Sequence, residues 1–319
     1  MIHPKLIFSL LLFFVFSYYL QAQKADTCKV GVDITALYDF KIKENSFTTI
    51  FWMWRVYKND SLDFSDGVDI VNSKNYTFGK LNKDKRGKQT WTTQKIKAEC
   101  QAGWKINNFP FDKQKLRVYF DDSRYDVNSL IMVADKKNSR IDDDLKFADW
   151  KITDFRIEDK IKTYKTTYGD PLLEGSSQYS QITMFIELER KGSMMTYFKI
   201  LTGLFFSFAI SLSVSLIPEK FFASRMPVCV GGLFSAVGSK YIAENIVPST
   251  NEFTLIDIIH NITFLYILLC IISGIIAMQT SVNKSVKEAH KWDIKSFFTL
   301  LISYIMLVSL FTLRAMFYH

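Results

Sequence analysis

The chain has 319 residues, 48% of them hydrophobic and 15% aromatic, and a formal net charge of +8. It is too apolar for a disordered chain and long enough for one or two domains. The charge does not make it a nucleic-acid binder, because the lysines recur singly through turns (Lys74, Lys80, Lys83, Lys85, Lys88) with no docking motif around them. A positive surface beside an anionic bilayer is the simpler account.

Residues 1–23 read as a secretory signal. Lys5 gives a basic start, Leu6–Leu20 an apolar stretch, and Leu20-Gln21-Ala22 a small residue before the cut. The alternative is a retained anchor helix, for which the apolar stretch is short, and Thr27-Cys28 lacks the apolar run that a lipid-modified cysteine needs, so the mature chain is expected to begin outside the cytoplasm.

Residues 24–190 are polar and rich in short alternating runs. Ser46–Tyr57 has the Phe, Trp, Thr and Val content of a strand, and Leu116–Phe120 and Gln181–Leu188 alternate with period two. Turn clusters at Lys58-Asn59-Asp60-Ser61, Asn107-Asn108, Asp121-Asp122-Ser123 and Gly169-Asp170-Pro171 divide the runs. The expectation is an all-β, immunoglobulin-like antiparallel sandwich. Cys28 and Cys100 are the only cysteines in this exported half, and they are the candidate disulfide pair. The acidic run Asp142-Asp143-Asp144 lacks calcium-loop spacing and reads as a solvated turn.

Residues 191–319 carry four apolar segments of spanning length, near Met194–Ile217, Pro227–Ile246, Phe253–Met278 and Phe297–Phe317. Cys229 and Cys270 within them are small apolar fillers. His260, two turns into the third segment, suits a hydrogen-bonded packing role or proton sensing, the first being preferred. The second segment contains Gly231, Gly232, Ser235, Gly238, Ser239, Lys240 and Glu244, so part of its circumference should face water or protein rather than lipid. The linkers after the first and third segments carry Lys220 and Arg225, and Lys284, Lys287, Lys291 and Lys295. The loop after the second carries no Lys or Arg. The positive-inside rule then places both basic linkers in the cytoplasm, with the amino-terminal domain and His319 outside.

Asn108-Phe109-Pro110-Phe111-Asp112-Lys113-Gln114 resembles the Phe-Pro-Phe-Asp turn of pentameric ligand-gated ion channels, the Cys-loop receptor superfamily. Ala102 and Leu116 stand where animal members have cysteines, which is the bacterial pattern. Arg190 before the first span, Asn245-Ile246-Val247-Pro248 ending the second, Phe253-Thr254-Leu255-Ile256-Asp257 opening the third, and the short linker at 279–293 are similar to bacterial members in the same order. The resemblance covers nearly all of the mature chain. It departs in lacking a proline in the first span (Thr202 lies in that region), in a shortened exported domain, and in Pro227 with its neighbouring glycines.

The resemblance implies a homopentamer in the bacterial inner membrane, with a pore lined by the second span. The pore stripe would be Pro227, Gly231, Phe234, Gly238, Tyr241 and Asn245, which share one helical face. Phe234 and Tyr241 would form aromatic rings, and Phe234 could close the pore by dewetting. The competing reading of the glycines is close helix packing. Arg225 is the selectivity candidate, set against a role as an interfacial anchor. Phe109, Pro110, Phe111, Asp112, Arg190 and Pro248 would form the gating interface at the membrane surface. Agonist candidates are Asp149, Trp150, Tyr164, Tyr168 and Tyr179 on one subunit, with Phe51, Trp52, Trp54 and Trp91 from its neighbour, each weighed against a core role. The expected partners are further copies of the chain, membrane lipid, a small-molecule or proton agonist and permeant ions, with no cofactor, metal or nucleic acid. A non-conducting receptor on the same fold is the alternative. An enzyme or transporter ranks far behind, since the sequence has no Ser-His-Asp set, metal-ligand spacing, phosphate loop or inverted repeat of spans.

Overall fold

The computed structural model describes residues 25–66, 68–171, 174–248 and 252–317. The signal sequence expected at 1–23 and the terminal His319 lie outside the described residues.

Eleven strands come first among the described residues: β1 (Asp26–Lys41), β2 (Ser46–Tyr57), β3 (Asp69–Ile70), β4 (Ser73–Phe78), β5 (Asn82–Arg86), β6 (Gln89–Gln101), β7 (Lys113–Asp121), β8 (Leu130–Ala134), β9 (Arg140–Ile141), β10 (Trp150–Tyr164) and β11 (Ser177–Arg190). They form a sheet ordered β4-β6-β2-β1-β8, with β5 beside β6 and β9 beside β1, and a second sheet ordered β10-β11-β7-β3. The period-two alternation decides which side faces the core. On β7, Gln114, Leu116, Val118 and Phe120 are buried while Lys113, Lys115 and Arg117 are exposed. The sheets meet face to face, with the Phe51 ring stacked on Phe120 at 6.0 Å between centroids.

Two expectations for this region are corrected. The larger sheet is not wholly antiparallel, because β1 runs parallel to β8 and β9. β8 follows β7, which lies in the other sheet, so no hairpin turn dictates its direction. The Cys28–Cys100 disulfide does not form, and both thiols are free and buried. Cys28 lies opposite Tyr57 and Cys100 opposite Phe47, at the two ends of β2. At a rise of about 3.3 Å per residue they stand roughly 33 Å apart along the sheet, far beyond disulfide reach. Burial pushes each thiol up to about 12.

Four helices follow: α1 (Ser193–Leu212), which tightens into a 3-10 turn at Ser213–Leu216, α2 (Phe222–Ile246), α3 (Leu255–Asn283) and α4 (Val286–Phe317). All four are long and apolar enough to cross a membrane, and the chain is a membrane protein. α2 starts ahead of Pro227, and α4 starts well before Phe297. Pro227 removes the N–H that would bond the carbonyl of Ala223, yet the helix runs through it. Gly192, at φ 63°, lets the chain turn from β11 directly into α1. α3 opens on a capping box, in which the Thr254 hydroxyl accepts from the Asp257 N–H and the Asp257 carboxylate accepts from the Thr254 N–H.

α2 packs on α1 and α3, whereas α4 packs chiefly on α3, so α2 and α4 sit on opposite sides of the bundle. Gly232 carries the α1–α2 contact, since a Cβ there would lie 3.0 Å from the Ser207 carbonyl oxygen and collide with the Ser211 hydroxyl. Phe208 stacks on Tyr304 at 3.9 Å between α1 and α4.

Candidate functional site

The second span offers one candidate surface. On α2, Arg225, Cys229, Gly232, Ala236, Ser239 and Ala243 are buried against the neighbouring helices. Pro227, Gly231, Phe234, Gly238, Tyr241 and Asn245 all lie on the open side. Phe234 and Tyr241 are each 71% exposed, and nothing approaches the Cβ positions of Gly231 and Gly238. The glycines therefore divide: Gly232 makes the close packing, while Gly231 and Gly238 flank the exposed ring of Phe234. Lys240 turns inward instead, ion-pairing with Asp257 of α3 and lying 3.8 Å from Glu244.

Arg225 is not on the open stripe. It follows Pro227 backwards by two residues, about 200° round a helix, and is fully buried. Its guanidinium donates to both carboxylate oxygens of Asp293 on α4, at 3.2 and 2.6 Å, and through Nε to the Ile217 carbonyl at 2.9 Å. The selectivity assignment is thus corrected to an anchoring one. Its partner Asp293 escaped sequence reading because it sits in a lysine-rich stretch that resembles a solvated linker.

The junction between sheets and helices is a second cluster. Arg190, at the end of β11, grips the buried Asp112 in a fork, Nε to Oδ1 at 2.8 Å and Nη2 to Oδ2 at 3.1 Å. Its guanidinium also lies over Trp150 at 4.3 Å and over Phe109 at 4.9 Å. Gln114 braces Asp112 by donating to Oδ2 at 2.8 Å. Phe109 and Pro110 are buried, Phe111 meets Tyr197 of α1 at 5.7 Å, and the Leu255 N–H at the head of α3 donates to the Asn107 carbonyl at 2.7 Å. Pro248 is half-buried just past α2.

The aromatic candidates separate. Tyr164, Tyr168 and Tyr179 converge at the β10–β11 turn, with ring centroids 5.9–6.2 Å apart. Tyr168 is 65% exposed, and the Tyr164 hydroxyl bonds the buried carboxylate of Asp121, which also accepts from Gln181 at 2.8 Å. Burial lifts the Asp121 carboxyl above its ordinary range, and burial next to Asp121 lifts the Tyr164 phenol. Asp149 and Trp150 lie at the other end of β10, where Trp150 is buried against Arg190, so they are not part of the tyrosine group. Phe51 is core.

Trp52, Trp54 and Trp91 share the outer face of the larger sheet. Lys95 lies over Trp52 at 5.8 Å and Arg86 over Trp91 at 5.5 Å. Trp54 is pinned by a bond to Asp135 at 3.2 Å and by the bare backbone of Gly31, where any Cβ would strike the indole. His260 is buried, with Nδ1 2.8 Å from the Ile256 carbonyl oxygen. Asp142, Asp143 and Asp144 form a half-buried to exposed turn, and no group of three metal-ligating side chains occurs among the described residues. No family model matches this chain, and no curated protein is found to be similar to it.

Proposed function

We propose that the chain is one subunit of a homopentameric ligand-gated ion channel of the bacterial Cys-loop type, with its two sheets forming an immunoglobulin-like sandwich. The observation that carries this reading is the open face of α2. It combines two bulky aromatic rings, two glycines, Pro227 and Asn245 on the side of the bundle opposite α4. The exposed face of α4 is instead mostly apolar between Phe298 and Leu313, with Phe298, Ile302, Ile305, Met306, Leu310 and Leu313 beside only Thr299 and Ser309, as suits lipid contact. A helix with glycines and an amide on its outward face needs water or further copies of itself there.

Five such faces around an axis make a pore, and two rings of aromatics make dewetting constrictions. The Asp112–Arg190 fork and the Asn107–Leu255 bond supply the coupling between sheets and helices, and a ligand held near the tyrosine trio would bias a closed–open equilibrium through them. The basic linkers lie at the end of the bundle away from the sheets, which supports a membrane placement with the sheets outside the cytoplasm. Neither agonist nor permeant ion is assigned.

The test is current across bilayers containing the purified protein and its Phe234→Ala variant, under a screen of ligands and pH. Ligand-evoked unitary currents altered by the substitution support the channel. Silence from protein shown to be pentameric favours the non-conducting receptor, to which the paired aromatic rings also point.

A further inference from the structure

Strand β2 turns Phe51, Met53, Arg55 and Tyr57 toward the core, so its alternation puts a guanidinium among core side chains. Arg55 is 2% exposed. Pairing of β1 with β2 sets it opposite Val30 and diagonal to Cys28, and the Phe64 ring covers the guanidinium at 4.8 Å. The groups near enough to act on its charge are Cys28, Asp122 and Tyr57. Among the described residues nothing accepts from Nε or Nη2, and both are sealed from solvent. Asp122, the one carboxylate in that group, is held in its own turn, where Oδ1 accepts from the Arg124 N–H at 3.0 Å and the Tyr125 N–H at 3.3 Å.

A guanidinium does not give up its proton, so the charge stays. Folded proteins avoid a buried charge with idle donors, because its desolvation is not repaid. Arg225, the other large fully buried cation, follows that rule through its two bonds to Asp293. Arg55 calls for the same charge from outside the chain. The surroundings set its class. Cys28 offers a weak S–H donor, and the Tyr57 and Phe64 rings meet edge to face at 5.0 Å. Arg124, on the same turn as Asp122, is spent at the surface on Asp63 and Asp66. An oxyanion would leave most of its oxygens without donors here, whereas a halide is one sphere that two N–H groups satisfy.

We propose that a single halide ion binds between the two sheets on the Nε–H and Nη2–H groups of Arg55, beside the Cys28 thiol. An ion bound only by the folded chain adds its binding free energy to stability, so the β-rich half becomes halide-dependent. The inference rests on the two sheets and not on ion conduction.

The test is thermal unfolding of the full chain in detergent, with sodium gluconate exchanged for sodium chloride or bromide at constant ionic strength, joined to diffraction from crystals grown in bromide. Stability should rise and saturate with either halide, the folded-to-unfolded ratio gaining about tenfold at ten times Kd. The crystals should show the anomalous signal of bromide beside the Arg55 guanidinium. Arg55→Met should abolish the halide dependence, and Arg86→Met on β5 should leave it intact. Unfolding that is the same in gluconate and in halide overturns the proposal. So does a halide effect that survives Arg55→Met, which would place the ion elsewhere, in a pore for example. Should Arg55→Met not fold, the bromide crystals decide alone: a water, or the Asp122 carboxylate, at Nε and Nη2 overturns the assignment. None of these readings depends on current, so failure here leaves the channel proposal standing.

Discussion

Arg190 shows how much one side chain can hold. Its fork on Asp112 is nearly dry, with the carboxylate fully buried and the guanidinium 13% exposed between two aromatic faces. Removing one partner strands a buried charge, so Arg190→Ala should cost about 3–5 kcal/mol in unfolding experiments. Arg190→Lys should recover only part of that, because an ammonium can neither fork nor stack as a guanidinium does. Asp121 gives a pH-dependent counterpart. Its carboxyl sits above the ordinary value of 3.8 because burial disfavours the charge. The native chain thus keeps this proton after the unfolded chain has released it. Stability should fall as pH rises from the ordinary value through the folded one, and then level off. Asp121→Asn should remove that share of the slope in a series of melting curves, and Asp122, also raised by burial, should keep its own. The Phe-Pro-Phe-Asp turn made Asp112 and Arg190 legible in the sequence. Asp121 was not, since Gln181 is brought to it by pairing of β7 with β11, and Tyr164 by pairing of β11 with β10.

At the scale of elements, the face of α2 was readable because glycine, aromatic and polar residues recur there at helical spacing. Arg225 was offered for selectivity from its place at the foot of the second span, against an anchoring role, and the structure has it two residues from Pro227 and so turned almost opposite to the open stripe. The correction makes a distinguishing prediction. Arg225→Ala alone, leaving Asp293 buried and unpaired, should cost about 3–5 kcal/mol, whereas Arg225→Met with Asp293→Leu should be close to neutral. Neither should move the reversal potential of any current in a salt gradient. The strands show a different limit. Alternation assigned Phe51 to one face of β2 and Trp52 to the other, but composition could not say which face was core. Strand register was also beyond sequence reading, and it is register that sets Cys28 and Cys100 at opposite ends of β2.

Across the whole molecule, hydropathy marked off a β-rich half and four helices long and apolar enough to cross a membrane, because a segment suited to lipid leaves a long, uninterrupted signature. Loop-mediated sheet order left no such trace, and the parallel β1–β8 pair came only with the structure. The free thiols give a global test. Melting temperature should be the same with and without a strong reductant, and Cys28→Ser with Cys100→Ser should lower it through lost packing even under reducing conditions.

The bond from Leu255 to Asn107 joins the two halves by main chain alone. A survey that trims side chains one by one would pass over it and undercount what binds the sheets to the bundle. Leu255 is the first residue of α3, where proline suits the helix and yet has no hydrogen to give. A proline placed there would cut this one thread while sparing the helix that carries it, at the cost of part of one buried leucine. The same handle lets the strength of the junction be adjusted without touching a charged group.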